Sequence, residues 1–360
     1  MTSQETPHNV GISTGRTSPS ARADASIESQ TGTTQKIDVH AHFLPEKYRS
    51  SLADAGHSKP AGMPGIPAWS AAQHVDMMDR NGIATSILSI SAPGLHFGDD
   101  AAARDLARYV NEQGTKAVQD YPNRFGMFAS LPLPDIDGSL RELDYAFDEL
   151  NADGVVVESN HNGVYLGDRR LDPVFSELNR RRATVFIHPT NPHCPCCQGR
   201  IPGSDPASLP PIGYPYPMLE FMFETTRAVF NLILSGTLAK YPDIKIIVPH
   251  AGATVPVLAD RVAGLSPALG LPTKLDIPQF HQTLRGLYYD LAGFPLPRQL
   301  LPLLEIADPT RILYGSDWPY TPEPLVTALV RQLDDSPLLT KRLHEDFMRN
   351  NALALFPRFA

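Results

Sequence analysis

With 360 residues, 42% of them hydrophobic and 19% charged, the chain carries enough apolar surface to bury a large core, which excludes a wholly disordered protein. The formal net charge of -8 removes the basic field on which binding to a phosphate backbone depends, so no nucleic-acid partner is expected. The sequence has neither an apolar run long enough to span a bilayer nor a basic segment followed by an apolar stretch, so the expectation is no membrane partner and a cytosolic location.

Residues 1–35 are rich in Ser, Thr, Gln and Gly and lack apolar periodicity, so they read as a flexible N-terminal tail ahead of one domain over residues 36–360. From Lys36 onward, short runs rich in Val, Ile, Leu and Phe recur. They are Lys36–His40, Thr85–Ile90, Phe125–Leu131, Gly154–Glu158, Thr184–His188, Lys245–His250, Gly286–Leu291 and Arg311–Gly315. Helical spacing of apolar residues follows most of them, at Ala72–Asn81, Ala101–Tyr121, Ser139–Leu150, Leu171–Arg182, Leu219–Lys240, Pro256–Gly264 and Pro297–Ile306. This alternation predicts a closed (β/α)8 TIM barrel, with extra C-terminal helices near Glu323–Gln332 and Pro337–Leu355. A doubly wound open sheet satisfies the same alternation and is the structural rival.

The stretch His193–Pro217 is dense in Pro and Gly and reads as a long loop after the fifth strand, on the face where barrel enzymes hold their ligands. It contains all three cysteines, Cys194, Cys196 and Cys197, too close together to staple distant parts of a fold. With His193 they would supply one corner of a zinc site, but no second ligand pair accompanies them, so an ordinary loop is the expectation.

The polar residues fall in one place relative to these strands. The first strand ends in His40-Ala41-His42, the fifth in His188 and the sixth in His250, and the eighth runs into Asp317. Residues two apart on a strand face the same side, so His40 and His42 can address one cation; imidazole and carboxylate are ordinary ligands of zinc and of other divalent ions. Each residue alone has a structural reading, His188 and His250 as hydrogen-bonded turn residues and Asp317 as a helix N-cap. Placement of all of them at one end of four strands favours a metal site. Ser91, Glu158 and Asp290 occupy the same predicted face as candidate substrate contacts, with Phe294 and Trp318 as candidate ring-packing residues.

From His40 to Trp318 the chain resembles the amidohydrolase-related decarboxylases, the group that includes aminocarboxymuconate semialdehyde decarboxylase and the salicylate-type decarboxylases. The residues that carry the resemblance are Ile37-Asp38-Val39-His40-Ala41-His42-Phe43-Leu44-Pro45, His188-Pro189, His250-Ala251-Gly252 and Gly315-Ser316-Asp317-Trp318-Pro319. Ser91-Ala92-Pro93-Gly94, Glu158-Ser159-Asn160 and Tyr289-Asp290-Leu291-Ala292-Gly293 bring it nearest to the fungal 6-methylsalicylate decarboxylases. The resemblance implies a barrel, a homodimer, and one divalent ion, zinc with manganese as the alternative, held by His40, His42, His188 and Asp317. It implies that His250 and Asp317 act in catalysis on a small aromatic carboxylic acid. One departure stands out: γ-resorcylate-type members carry Glu three residues after the sixth-strand His, where this chain has Ala253, which argues against a His-Glu proton relay.

The expected reaction is loss of CO₂ from a hydroxybenzoate, 6-methylsalicylate to m-cresol, with the proton delivered by Asp317 or by a water that His250 activates. Two rivals remain at this level. A hydrolase of a lactone or amide would use the same metal to activate water, although Glu158 stands where a bridging Lys of a two-metal site is expected; a non-catalytic barrel would lack ligands.

Overall fold

The computed structural model describes residues 35–193, 213–271 and 275–360. Most of the N-terminal tail, Cys194, Cys196 and Cys197, and most of the loop read over His193–Pro217 lie outside the described residues. None of the described helices is long and apolar enough to cross a membrane.

Eight strands form one sheet in sequence order. They are β1 (Lys36–His42), β2 (Ile83–Ser89), β3 (Phe125–Ser130), β4 (Gly154–Glu158), β5 (Thr184–His188), β6 (Lys245–Val248), β7 (Tyr288–Asp290) and β8 (Ile312–Leu313). All neighbouring pairs are parallel. Closure comes from the segment that follows β8, where the Val39 amide donates to the Tyr314 carbonyl at 3.0 Å and the His42 amide to the Trp318 carbonyl at 2.8 Å. The sheet therefore closes on itself as the expected (β/α)8 barrel, and the open-sheet alternative falls.

Period-two alternation gives each strand two buried faces. Inward, Ile37, Val39, Ile87, Phe128, Val156, Phe186, Ile247 and Leu313 pack as one interior cluster, plugged at the N-terminal end of the strands by Ala352, Leu355 and Phe356. Outward, Leu88, Met127, Val155, Val185, Ile187 and Ile246 join the main core beneath the helices.

The connecting helices are α1 (Glu46–Asp54), α2 (Ala71–Asn81), α3 (Asp100–Asp120), α4 (Ile136–Asp148), α5 (Asp172–Arg180) and α6 (Glu220–Leu234). The next are α7 (Thr237–Lys240), α8 (Val255–Leu265), α9 (Ile277–Arg285), α10 (Leu300–Ile306) and α11 (Glu323–Asp334). Their limits follow local chemistry. Ser70, Asp99 and Asp135 each accept a backbone N–H of the first turn of α2, α3 and α4, and Gly82 at φ 65° stops α2.

Several boundaries differ from the sequence expectation for physical reasons. The helix expected over Leu219–Lys240 breaks at Gly236, φ 85°, into α6 and α7. Strand β6 stops at Val248 because Pro249 has no N–H to continue the ladder. The helix expected over Pro337–Leu355 is three pieces, α12 (Lys341–Glu345), one π turn at Asp346–Asn350 and α13 (Asn351–Leu355). Helices α1 and α9 and a small hairpin, Asn160–His161 with Val164–Tyr165, add to the expected elements.

Beneath the barrel rim, His74 of α2 is fully buried, accepts the Trp69 indole N–H at 3.2 Å and lies 4.5 Å from the Trp318 ring. Burial pushes its imidazole down to about 3. Between pH 6.5 and 3 the unfolded chain thus binds a proton here that the folded chain refuses, so stability falls as pH drops below about 6.5. At pH 5 this group costs roughly 2 kcal/mol. Urea midpoints measured across pH 7 to 5 should fall less steeply for His74→Gln than for the parent, and identical slopes would remove His74 from the acid response.

Candidate metal centre

The site starts with a fault in β1. Its pairing with β2 slips between Asp38 and Ala41, and an extra residue in a strand re-aims side chains. Val39 consequently belongs to the interior cluster while the His40 ring also turns inward, 4.8 Å from Phe186. His40 and His42 end with ring centroids 5.0 Å apart. His188, at the end of β5, brings its ring to 4.8 Å from His42 and 5.6 Å from His40.

Asp317 completes the group. Its carboxylate Oδ1 lies 3.1 Å from His42 Nε2 and 3.4 Å from His40 Nε2. One ligand atom from each of His40, His42, His188 and Asp317 lies within 4.8 Å of the others. The backbone delivers Asp317 directly to β1, because its amide donates to the His40 carbonyl at 2.7 Å. Asp38 clamps the same two segments, its Oδ1 accepting the amides of His40 at 3.1 Å and Ser316 at 3.0 Å. Gly315 is required there, since a Cβ would sit 2.8 Å from the His40 Cβ.

Behind the ring atoms stands a set of acceptors. Asp290 Oδ2 lies 2.9 Å from His40 Nδ1, while Asp290 Oδ1 accepts the amides of His250 at 3.0 Å and Ala292 at 2.9 Å. His42 Nδ1 faces the Ser89 carbonyl at 3.3 Å. Glu158 Oε2 lies 3.5 Å from His188 Nδ1. With the Nδ1 protons of His40 and His42 directed at Asp290 and the Ser89 carbonyl, a bound cation would find both Nε2 lone pairs beside the Asp317 carboxylate.

This donor set fits a divalent cation. His40 Nε2 is buried without a hydrogen-bond partner. Burial opposes charge on that ring, yet the flanking Asp290 and Asp317 carboxylates push it up to about 10, so the centre demands positive charge. Three imidazoles and one carboxylate are zinc-type ligands.

His250 stands beside the cluster rather than in it. Its ring is 5.0 Å from His40, its Nε2 is 3.9 Å from Asp317 Oδ2, and its Nδ1 is buried and unpaired. His250, His188 and Asp317 line a cavity of about 490 Å³ together with Ser91, Tyr320 and Phe294. Ser91 Oγ lies 3.3 Å from His188 Nε2.

The other expected substrate contacts are placed elsewhere. Asp290 is fully buried behind His40 and does not line this cavity, its two oxygens facing His40 Nδ1 and the amides of His250 and Ala292. Trp318 turns into the core against His74 instead of toward the cavity. Glu158 lies behind His188, on the wall of a separate cavity of about 380 Å³ with Ser130, His161 and Asn191, and burial raises its carboxyl well above the ordinary range. Two further residues stand at the site, one on the cavity wall and one behind a ligand. Tyr320, whose ring sits 5.6 Å from His42, follows Asp317 by one turn of loop, and Ser89 is the last residue of β2 opposite His42.

A barrel with a three-histidine, one-aspartate cluster at the C-terminal ends of its strands defines a metal-centre enzyme scaffold. Residues 37–358 match the Amidohydrolase family, and the chain belongs to it. It is similar to the decarboxylase yanB of Aspergillus niger, 36% identical over 90% of this chain and 88% of that one. It is similar to the 6-methylsalicylic acid decarboxylase of Penicillium expansum, 36% identical over 90% of this chain and 96% of that one. A crystal structure described as an amidohydrolase II superimposes with a TM-score of 0.81 at 34% identity, covering 90% of this chain and all of that one.

Asp290→Asn keeps the shape behind His40 but removes the charge that orients its ring. Metal affinity, measured by competition with a chelator, should weaken roughly 10- to 100-fold, and unchanged affinity would exclude Asp290 as support for the site.

Proposed function

We propose that this chain is a metal-dependent carboxy-lyase that removes CO₂ from a small hydroxybenzoate, with 6-methylsalicylate giving m-cresol as the reaction. The observation that carries the reading is a His40–His42–His188–Asp317 cluster opening, beside His250, into a largely apolar cavity sized for a substituted ring. The named activity of the Penicillium expansum relative supports the substrate.

The chemistry replaces a carboxylate by hydrogen: the ring carbon takes a proton, the C–C bond breaks and its electron pair stays with the ring as CO₂ leaves. A bound divalent ion, zinc in this proposal with manganese as the alternative, supplies a Lewis-acid charge for the carboxylate and ortho-hydroxyl oxygens. His40, His42, His188 and Asp317 would hold that ion, the histidines through ring nitrogens and the aspartate through its carboxylate. Asp317 Oδ2 faces His250 and accepts the Thr321 hydroxyl at 3.0 Å. Proton delivery falls to Asp317 at Oδ2 or to a water that His250 holds; both place the proton on the same side of the cavity. Ser91 and Tyr320 offer hydroxyl groups for substrate oxygens, and Phe294 a ring at the mouth. Asp290 and Glu158 act as positioning residues through His40 and His188.

The hydrolase alternative on a two-metal site has no Lys at the end of β4, where Glu158 backs His188. A homodimer in the cytosol completes the proposal, with light scattering as the check on assembly.

Incubation of the metal-loaded protein with 6-methylsalicylate should release CO₂ and m-cresol in equal amounts, while a lactone panel stays intact. Asp317→Asn should lower kcat by roughly 10²- to 10⁴-fold, and near-normal turnover in that variant would sink the assignment.

A further inference from the structure

We propose that the outer part of the metal cavity is a binding site for an unbranched alkyl substituent longer than methyl, so that this chain favours 6-alkylsalicylates with extended tails. This rests on the decarboxylase reading and adds the substrate class to it.

The cavity has two kinds of wall. Its polar lining groups are Ser91, His188, His250, Gln299, Asp317, Tyr320 and Thr321. Much of the rest is supplied by large apolar side chains from four separate parts of the barrel. Met63 comes from the β1–α2 connection, Phe221 and Met222 from α6, Phe294 from the segment after β7, and Leu325 from α11. Convergence of four elements on one apolar surface makes a built wall rather than the incidental exposure of one residue.

Volume and exposure point the same way. At about 490 Å³ the cavity equals the share of liquid occupied by about sixteen waters, well beyond what one ring with a methyl group fills. Phe294 stays 57% exposed and Leu325 43%, so apolar area remains to be covered at the rim. Among the described lining residues there is no Lys or Arg, so a second carboxylate on the ring would lose its water without gaining a cation. An alkyl chain, in contrast, releases ordered water from both surfaces. Each methylene buried is worth about 0.8 kcal/mol, which is about a fourfold gain in binding.

Binding energy from a part of the substrate remote from the reacting carbon also reaches the transition state, so the gain is expected in kcat/KM. The experiment compares 6-methyl-, 6-propyl- and 6-pentylsalicylate with metal-loaded protein, by initial rates and by calorimetric binding. The expected result is a three- to fourfold rise in kcat/KM per added methylene from methyl to propyl, with a further rise to pentyl. Phe294→Ser and Leu325→Ser should each reduce the gain per methylene. A flat or falling series, or slopes unaffected by both substitutions, overturns the proposal. The two readings fail separately. Affinity that rises with chain length without turnover of any salicylate removes the decarboxylase and leaves the tail site; turnover of the methyl compound with no chain-length gain does the reverse.

Discussion

The buried carboxylate of Asp290 is the interaction on which the centre depends. One oxygen fixes the His40 ring through Nδ1, and the other takes the amides of His250 and Ala292. A single side chain at the end of β7 thereby sets the tautomer of a ligand on β1 and the path of the loop that presents His250. The arrangement works only because the group is fully buried: in water the same contacts would exchange with solvent, whereas here an unpaired oxygen would bear the full desolvation cost.

Barrel closure and ligand delivery are the same event. The segment after β8 completes the sheet through the Tyr314 and Trp318 carbonyls, and between them Asp317 enters the cluster. Asp38 holds both partners of this seam, and Gly315 allows them to touch. An altered seam therefore changes fold stability and site geometry together, which separates this design from sites built on loops that move independently of their scaffold.

The sequence made the barrel legible because eight short apolar runs alternate with helical spacing, and strands buried on both faces leave such continuous runs. The four ligands were legible for a different reason, their common position at strand ends. What stayed hidden depends on contacts between residues distant in the chain. Asp290 read as a cavity residue because strand-end position alone does not tell whether a carboxylate faces a substrate or the back of a histidine 250 residues away. Trp318 follows Asp317 directly, yet its neighbour's left-handed backbone, φ 59°, swings it into the core against His74. The bulge in β1 left no composition signal, since strict alternation already paired His40 with His42; it decides instead that Val39 and His40 share the interior. Helix α9 carries a complete capping box at Asp276 and Gln279, a local signal that the apolar pattern alone overlooks.

Part of the backbone strain lies where the chemistry is proposed. His250, Ala251, Ala253 and Asp317 all adopt positive φ, a conformation that costs non-glycine residues on the order of 1–3 kcal/mol each. Such a turn persists only when its surroundings over-determine it. Around His250 the restraints are Asp290 on its amide and the Gln299 side chain, which donates to the His250 and Ala253 carbonyls at 2.6 and 3.0 Å. Around Asp317 they are the His40 carbonyl on one side and Thr321 on the other, the latter through both its amide and its hydroxyl. Glycine at either position would relax the turn but would also delete the imidazole or the carboxylate. The strain is thus the cost of placing a functional side chain where the backbone favours none, and two of the four strained residues, His250 and Asp317, stand side by side at the cavity with Nε2 and Oδ2 3.9 Å apart.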